Sequence, residues 1–181
     1  MLEIAGSGMF RPKVGLIGTG KWGNILKKKL NKNSNLIFAA NSKLNYKKKL
    51  KDLDWVFVAT PDKTHFRIVR NLLNLKKNVF CEKPLTLNYK KSKILFDLAK
   101  KKGTKLYVDD IQNFYKKKIN IKKINIITRK KLGNDDPKNL LYRFAYHDFY
   151  FLVDQFKKRK IKSIQILDKL KDLKFNIKFK D

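Results

Sequence analysis

The chain has 181 residues, 45 Lys and Arg against 15 Asp and Glu, a formal net charge of +30, and 43% hydrophobic residues. That length suits one domain or a domain and a half, and the apolar content, with runs such as Val56–Ala59, excludes a disordered chain despite the charge. No apolar stretch reaches the roughly 18–20 residues of a membrane helix, no signal-peptide pattern opens the chain, and the single cysteine, Cys81, excludes an internal disulfide, so a cytoplasmic protein without a membrane partner is expected.

Residues 1–9 (MLEIAGSGM) hold the only Ser-Gly-rich stretch and precede a second methionine, Met9, which marks them as a tag remnant or a misplaced start. A regular pattern follows. Lys13–Ile17 reads as a strand, Gly18–Gly23 as a glycine-rich turn, and Trp22–Leu30 as a helix with Trp22, Ile25, Leu26 and Leu30 at helical spacing. Leu36–Ala40 is the next strand, Leu44–Leu50 a short helix, and Asp54–Thr60 (DWVFVAT) a strand buried on both faces, ended by Pro61. Thr64 is placed to cap a helix running to about Leu75; Asn78–Cys81 is a strand, Asn88–Lys102 a helix closed by Gly103, and Lys105–Val108 a strand. Strands and helices alternating at this spacing imply βαβ units and a parallel sheet, a Rossmann-type doubly wound domain over residues 10–110. Beyond it the grammar changes. Ile119–Thr128, Ser163–Leu167 and Leu173–Lys180 alternate like strands and Tyr142–Phe156 like an aromatic helix, so residues 111–181 form a short α+β domain for substrate binding or oligomerisation.

Gly18-Thr19-Gly20-Lys21-Trp22-Gly23 is a GxGxxG sequence standing between a predicted strand and a predicted helix. There the first glycine turns the chain, the second lets the backbone approach a pyrophosphate, the third lets helix and strand pack closely, and the helix N-terminus faces the phosphates. The acidic residue that usually holds the adenosine ribose should end the second strand, but the sequence there is Ala39-Ala40-Asn41-Ser42-Lys43. With no carboxylate present, Asn41 lines the ribose end and Ser42 and Lys43 suit a 2′-phosphate, so NADP is slightly favoured over NAD; the plain alternative is a surface Asn-Ser-Lys turn. None of the motifs calls for a metal.

Asp54–His65 (DWVFVATPDKTH) followed by Val79–Pro84 (VFCEKP) resembles the Gfo/Idh/MocA family, the relatives of glucose-fructose oxidoreductase and inositol dehydrogenase. In that family a strand ends in Thr-Pro with a histidine a few residues on, and a Glu-Lys-Pro follows the next strand. The glycine motif and these two segments occur in the same order and spacing, and the resemblance runs from about Val14 to Val108. It implies that Thr60, Pro61, His65 and Glu82 flank the cofactor, and that Lys83 lies beside both nicotinamide and substrate, where it engages the substrate hydroxyl. Removing hydride from an alcohol carbon requires that hydroxyl's proton to leave, which is the chemistry a basic group there serves. A turn reinforced by the Pro84 ring, through a cis bond, fits the same segment.

The family also has a helix of the form Asp-x-x-x-His-Asp-x-Asp in its second domain. Arg143–Tyr150 (RFAYHDFY) is similar: His147 and Asp148 match the central pair, while Arg143 and Tyr150 replace the flanking aspartates. His147 is then the second catalytic residue, a general acid or base. Family members run well past 300 residues, so this chain is expected to be a fragment, a shortened variant completed by self-association, or a degenerate relative. A homo-oligomer joined through the second-domain sheet face is the simplest way to cover strands too few to cover themselves.

The surplus charge needs its own account. Lysine supplies 39 of the basic residues and arginine six, asparagine occurs 16 times, and glutamate only at Glu3 and Glu82, a bias like that of an AT-rich genome. The lysines are spread along the chain in runs such as Lys27–Lys29, Lys47–Lys49, Lys100–Lys102 and Lys116–Lys118, without the arginine and aromatic interleaving of a base-reading surface, which disfavours nucleic acid. The expected activity is hydride transfer between a nicotinamide cofactor and a hydroxyl carbon of a sugar or sugar derivative, with a nucleotide-linked sugar suited to the basic surface; the alternative is a non-catalytic, cofactor-binding or assembly module of the same family.

Overall fold

The computed structural model describes residues 11–41, 46–109, 127–130, 161–168 and 172–179. The chain divides into a unit ending at Asp109 and a unit starting at Asp110.

In the first unit five strands, β1 (Lys13–Ile17), β2 (Asn35–Ala40), β3 (Trp55–Val58), β4 (Asn78–Cys81) and β5 (Leu106–Val108), alternate with helices α1 (Lys21–Asn33), α2 (Asp62–Asn74) and α3 (Tyr89–Lys102). A 3₁₀ turn at Lys47–Lys49 stands between β2 and β3, where a short helix was expected over 44–50; residues 42–45 lie outside the described residues. All four strand pairings are parallel, in the order β2-β1-β3-β4-β5. The chain therefore leaves β1 toward one edge and returns to β3 on its other side, which makes the carboxyl ends of β1 and β3 the topological switch point where open α/β sheets bind ligands.

Alternation along the strands divides the core between the two faces of the sheet. Val56 and Val58 of β3, with Val79 and Cys81 of β4, pack against Ile68, Val69, Leu72 and Leu73 of α2 and Leu95 and Ala99 of α3. On the opposite face Val14 and Leu16 meet Leu30 of α1, joined by half-buried Leu36, Trp55 and Phe57. On this side rings continue across the sheet, Phe57 on Phe80 at 4.8 Å and Phe80 on Tyr107 at 5.2 Å between centroids. β3 was expected to be buried on both faces. Only Val56 and Val58 are fully buried, because among the described residues α1 alone lies on the second face, against β1 and its neighbours.

Two helix starts correct the sequence expectation. Trp22 and Ile25 are 60% and 39% exposed, so α1 packs through Gly23 and Leu30 and turns its first aromatic outward. Pro61, not Thr64, occupies the N-cap of α2; Thr64 sits inside the first turn, its hydroxyl 2.7 Å from both the Thr60 hydroxyl and the Pro61 carbonyl oxygen. Proline suits such a place because it has no N–H to leave unsatisfied. α3 begins where Asn88 accepts the Lys91 N–H at 3.0 Å and ends at Gly103, whose φ of 64° is the left-handed C-cap that favours glycine.

In the second unit, β6 (Ile127–Lys130), β7 (Ile161–Asp168) and β8 (Asp172–Phe179) form an antiparallel sheet in the order β6-β8-β7. The strand expected over 119–128 is described only from Ile127, and the aromatic helix expected over 142–156 lies outside the described residues.

Candidate dinucleotide site

Gly18, Gly20 and Gly23 have three different environments. Gly18 follows β1 with φ of 110°, its N–H on the Ala40 carbonyl at 2.7 Å, and a Cβ on it would overlap the Ala59 carbonyl and come within 2.8 Å of the Thr60 nitrogen. Gly23, in the first turn of α1, would drive a Cβ into the Gly18 carbonyl group. Gly20 caps α1 with ordinary φ of −71°, and a Cβ there would meet nothing within 4 Å. Two glycines are thus fixed by packing, while the middle one faces open space at the end of a helix with no side-chain cap and no acidic residue in its first turn. Unsatisfied N–H groups and the positive end of the helix dipole fit that opening to a phosphate. Beside it Lys21 and Trp22 are exposed and Thr19 is half-buried.

The next parts of the edge come from the ends of β3 and β4. Thr60 is buried, Pro61 exposed, and His65, on α2, is only 1% exposed. The His65 ring is held between two backbone carbonyls, Nε2 2.7 Å from Thr60 O and Nδ1 2.9 Å from Pro84 O. Both ring nitrogens of His65 are engaged inside the protein, next to the Thr60–Pro61 turn expected to flank the cofactor. The ring ties the Thr60–Pro61 turn to the Glu82–Pro84 turn, where the Lys83–Pro84 bond is cis.

Glu82 is likewise drawn inward. Its N–H donates to Val58 O at 2.9 Å, its side chain is 8% exposed, and its carboxyl hydrogen-bonds with that of Asp109, the first residue after β5. Burial, with the charge and hydrogen bond of Asp109, pushes the Glu82 carboxyl up to about 7, against the opposing pull of the Lys83 charge and the Lys83 backbone N–H that it accepts. Lys83 itself is half-buried at the same edge. The Asp109 partnership has no motif; the only sign of it is that Asp109 follows β5 at the register where Glu82 follows β4.

Asn41 is exposed just past β2, while Ser42, Lys43, Arg143 and His147 lie outside the described residues. Among the described residues no group of three or more His, Cys, Asp or Glu is placed to hold a metal ion, and no helix is long and apolar enough to cross a membrane.

Residues 28–110 match the oxidoreductase family with an NAD-binding Rossmann fold. Over 63 residues the chain is 40% identical to an uncharacterized oxidoreductase of Schizosaccharomyces pombe, and over 63 residues 36% identical to the 2,7-anhydro-N-acetylneuraminate hydratase of Escherichia coli; each alignment takes in 35% of this chain and 17% of the relative. Among solved structures, the UDP-N-acetylglucosamine 3-dehydrogenase GnnA of Acidithiobacillus ferrooxidans superposes with a TM-score of 0.74 at 15% identity, covering 94% of this chain and 66% of that one. GenD2 from gentamicin A biosynthesis, in complex with NAD, superposes with a TM-score of 0.71 at 17% identity over 99% of this chain and 66% of its own. At such identities the likeness is one of fold. The glycine turn, the parallel sheet and the family match agree: the N-terminal unit of this chain has an NAD-binding Rossmann fold, and its residues 28–110 are similar to the Gfo/Idh/MocA oxidoreductase family.

Proposed function

We propose that the protein binds NAD or NADP and moves hydride between the nicotinamide and a hydroxyl carbon of a sugar or sugar derivative. The observation that carries this reading is the edge itself: the open Gly20 corner and the half-buried Lys83 belong to one row of strand ends, at the switch point and just beyond it. When bound, the nicotinamide supplies the hydride acceptor or donor. Gly18–Gly23 hold the pyrophosphate, Thr60 and Pro61 border the cofactor, Lys83 engages the substrate hydroxyl, and His147 assists as acid or base. Asn41, Ser42 and Lys43 take the adenosine end, with NADP slightly favoured by the absence of a carboxylate after β2. A nucleotide-linked sugar is the preferred substrate class, supported by the chain's positive charge and by the activity named for the A. ferrooxidans dehydrogenase. We further propose a cytoplasmic homo-oligomer assembled through residues 111–181.

A second reading, a non-catalytic cofactor-binding module, is favoured by Arg143, which puts a cation where the family motif has an aspartate. The test is a thermal-shift titration with NADH and NADPH, followed by a screen of sugars, sugar acids and nucleotide sugars for absorbance change at the nicotinamide band. A rise in melting temperature with cofactor, and a substrate signal abolished by Lys83→Ala with cofactor binding kept, are expected. An unmoved melting curve at millimolar cofactor overturns the binding assignment; binding without turnover on any substrate favours the module. Lys43→Ala weakens NADPH more than NADH if the 2′-phosphate reading holds, and equal losses remove it.

A further inference from the structure

We propose that Glu82 and Asp109 form a carboxyl pair holding one proton, and that this pair is the proton reservoir behind Lys83 in the reaction proposed above, on which the inference rests. The pair is built by the sheet. β4 and β5 lie in parallel register through Cys81 opposite Val108, so the residues that follow, Glu82 and Asp109, emerge side by side. Each is fixed by its own backbone N–H, Glu82 to Val58 O at 2.9 Å and Asp109 to Cys81 O at 2.8 Å, which ties three strand ends together before any side chain is considered. Rigid backbone on both sides keeps the carboxyls facing each other, and their side chains are hydrogen-bonded. Two carboxylates paired in this way resist being ionised together, so one proton is retained between them.

The groups facing Glu82 can be named. Asp109 faces it from β5; Lys83, in its own turn, contributes a charge and a backbone N–H; Cys81 lies below it on β4; and His65 of α2 reaches the same turn through the Pro84 carbonyl. Burial and Asp109 together hold Glu82 near 7, where the pair changes charge within the physiological range.

Its use follows from the balance of the reaction. Oxidation of the carbinol breaks a C–H bond, whose hydrogen leaves with the electron pair as hydride to the nicotinamide, and an O–H bond, whose proton passes to Lys83 Nζ as the carbonyl forms. Lys83 gives one N–H proton to the ionised pair before or as it takes the hydroxyl proton, and so ends the step in the protonation state in which it began. Reduction runs the same transfers backward from the protonated pair. Glu82 and Asp109 act through Lys83 and are positioning residues in this scheme. Oxidation accordingly rises, and reduction falls, as pH passes through the midpoint of the pair.

The chain offers a clean observation, since Glu3 and Glu82 are its only glutamates. In the full chain labelled with ¹³C-carboxyl glutamate, two resonances are expected, and the one lost in Glu82→Gln is followed from pH 3 to 9. It should titrate near neutrality, and in the isosteric Asp109→Asn its midpoint should fall by about one pH unit or more, because the opposing charge is gone. The pH profile of substrate oxidation should move with it in Asp109→Asn, with cofactor affinity retained, and lose the inflection in Glu82→Gln. Titration of Glu82 in the ordinary range near 4.3, or a midpoint unmoved by Asp109→Asn, overturns the pair. A shifted resonance beside an unshifted rate profile overturns the reservoir. If the resonance behaves as stated while no substrate turns over, the oxidoreductase reading fails, and the reservoir with it, leaving the pair standing.

Discussion

Gly23 lies so close to the carbonyl group of Gly18 that a single added carbon would overlap it, with the Gly18 carbonyl carbon only 2.6 Å from where a Cβ would stand. The first and third glycines of the turn are therefore one packing contact, made where α1 crosses the end of β1, and the second glycine is free of it.

That division predicts opposite behaviour for two similar substitutions. Gly23→Ala forces backbone apart in a close-packed corner and should cost on the order of 1–3 kcal/mol, a drop in melting temperature of several degrees or more. Gly20→Ala meets no atom of the protein and keeps an ordinary φ, so its melting temperature should stay within about 2 °C of wild type while cofactor affinity falls roughly tenfold or more. Differential scanning fluorimetry with and without NADPH separates the two. Equal binding by Gly20→Ala and wild type would show that nothing approaches this corner closely.

His65→Ala should be among the most damaging changes away from the strands. It empties a buried site and strips the Thr60 and Pro84 carbonyls of their imidazole partner, a loss of roughly 2–4 kcal/mol by comparison with other large-to-small and unsatisfied-acceptor substitutions. Because those carbonyls belong to the two turns that frame the edge, cofactor affinity should weaken as well. Urea unfolding checks the first effect and a cofactor titration below the unfolding range the second; a variant within about 0.5 kcal/mol of wild type would deny the ring its bridging role.

The alternation of strand and helix in the first unit was legible in the sequence because its strands are short apolar runs, those of β1, β2 and β3 closed by Gly18, Asn41 and Pro61, and these are local signals. The bounds of β1 and β4 follow directly from it. What was not legible is relational. Trp22 has helical spacing with Leu30, but which face of α1 meets the sheet is set by Gly23 against Gly18, and that contact leaves Trp22 in solvent. His65 stands in a motif that implies a cofactor neighbour, yet its burial depends on a turn 19 residues away. Asp109 carries no motif at all, and its meeting with Glu82 exists only in the register of β4 with β5.

Cys81 should be silent in the native protein. It is fully buried at the end of β4, and burial together with the neighbouring Glu82 carboxylate pushes its thiol well up. As the single cysteine of the chain, it reports opening of this core without interference. With a core-opening free energy of about 3–4 kcal/mol, labelling by a thiol reagent should be slower in buffer than in denaturant by roughly 10²–10³-fold. Saturating cofactor should slow it further if the ligand binds only the folded state. Prompt labelling in buffer would mean that the end of β4 opens on its own.

The stability of the protein should depend on pH through Glu82. A carboxyl held at about 7 in the folded chain, from an ordinary 4.5, binds its proton more tightly when folded than when unfolded. Between those two values the native state carries the excess proton, so the slope of unfolding free energy with pH is negative there. The contribution of Glu82 is therefore least costly below about 4.5, declines as pH rises toward 7, and levels off above it, at a cost on the order of 3 kcal/mol when both states are ionised. Glu82→Gln removes the ionisation while keeping a side chain able to hydrogen-bond to Asp109. The variant should be more stable than wild type at pH 8 and approach it near pH 5, so the difference between the two urea midpoints is what should be measured, since other carboxylates cancel in it. A difference that stays constant from pH 5 to 8, or one that favours wild type increasingly toward pH 8, would mean that Glu82 is ionised in the folded protein throughout and shares no proton with Asp109.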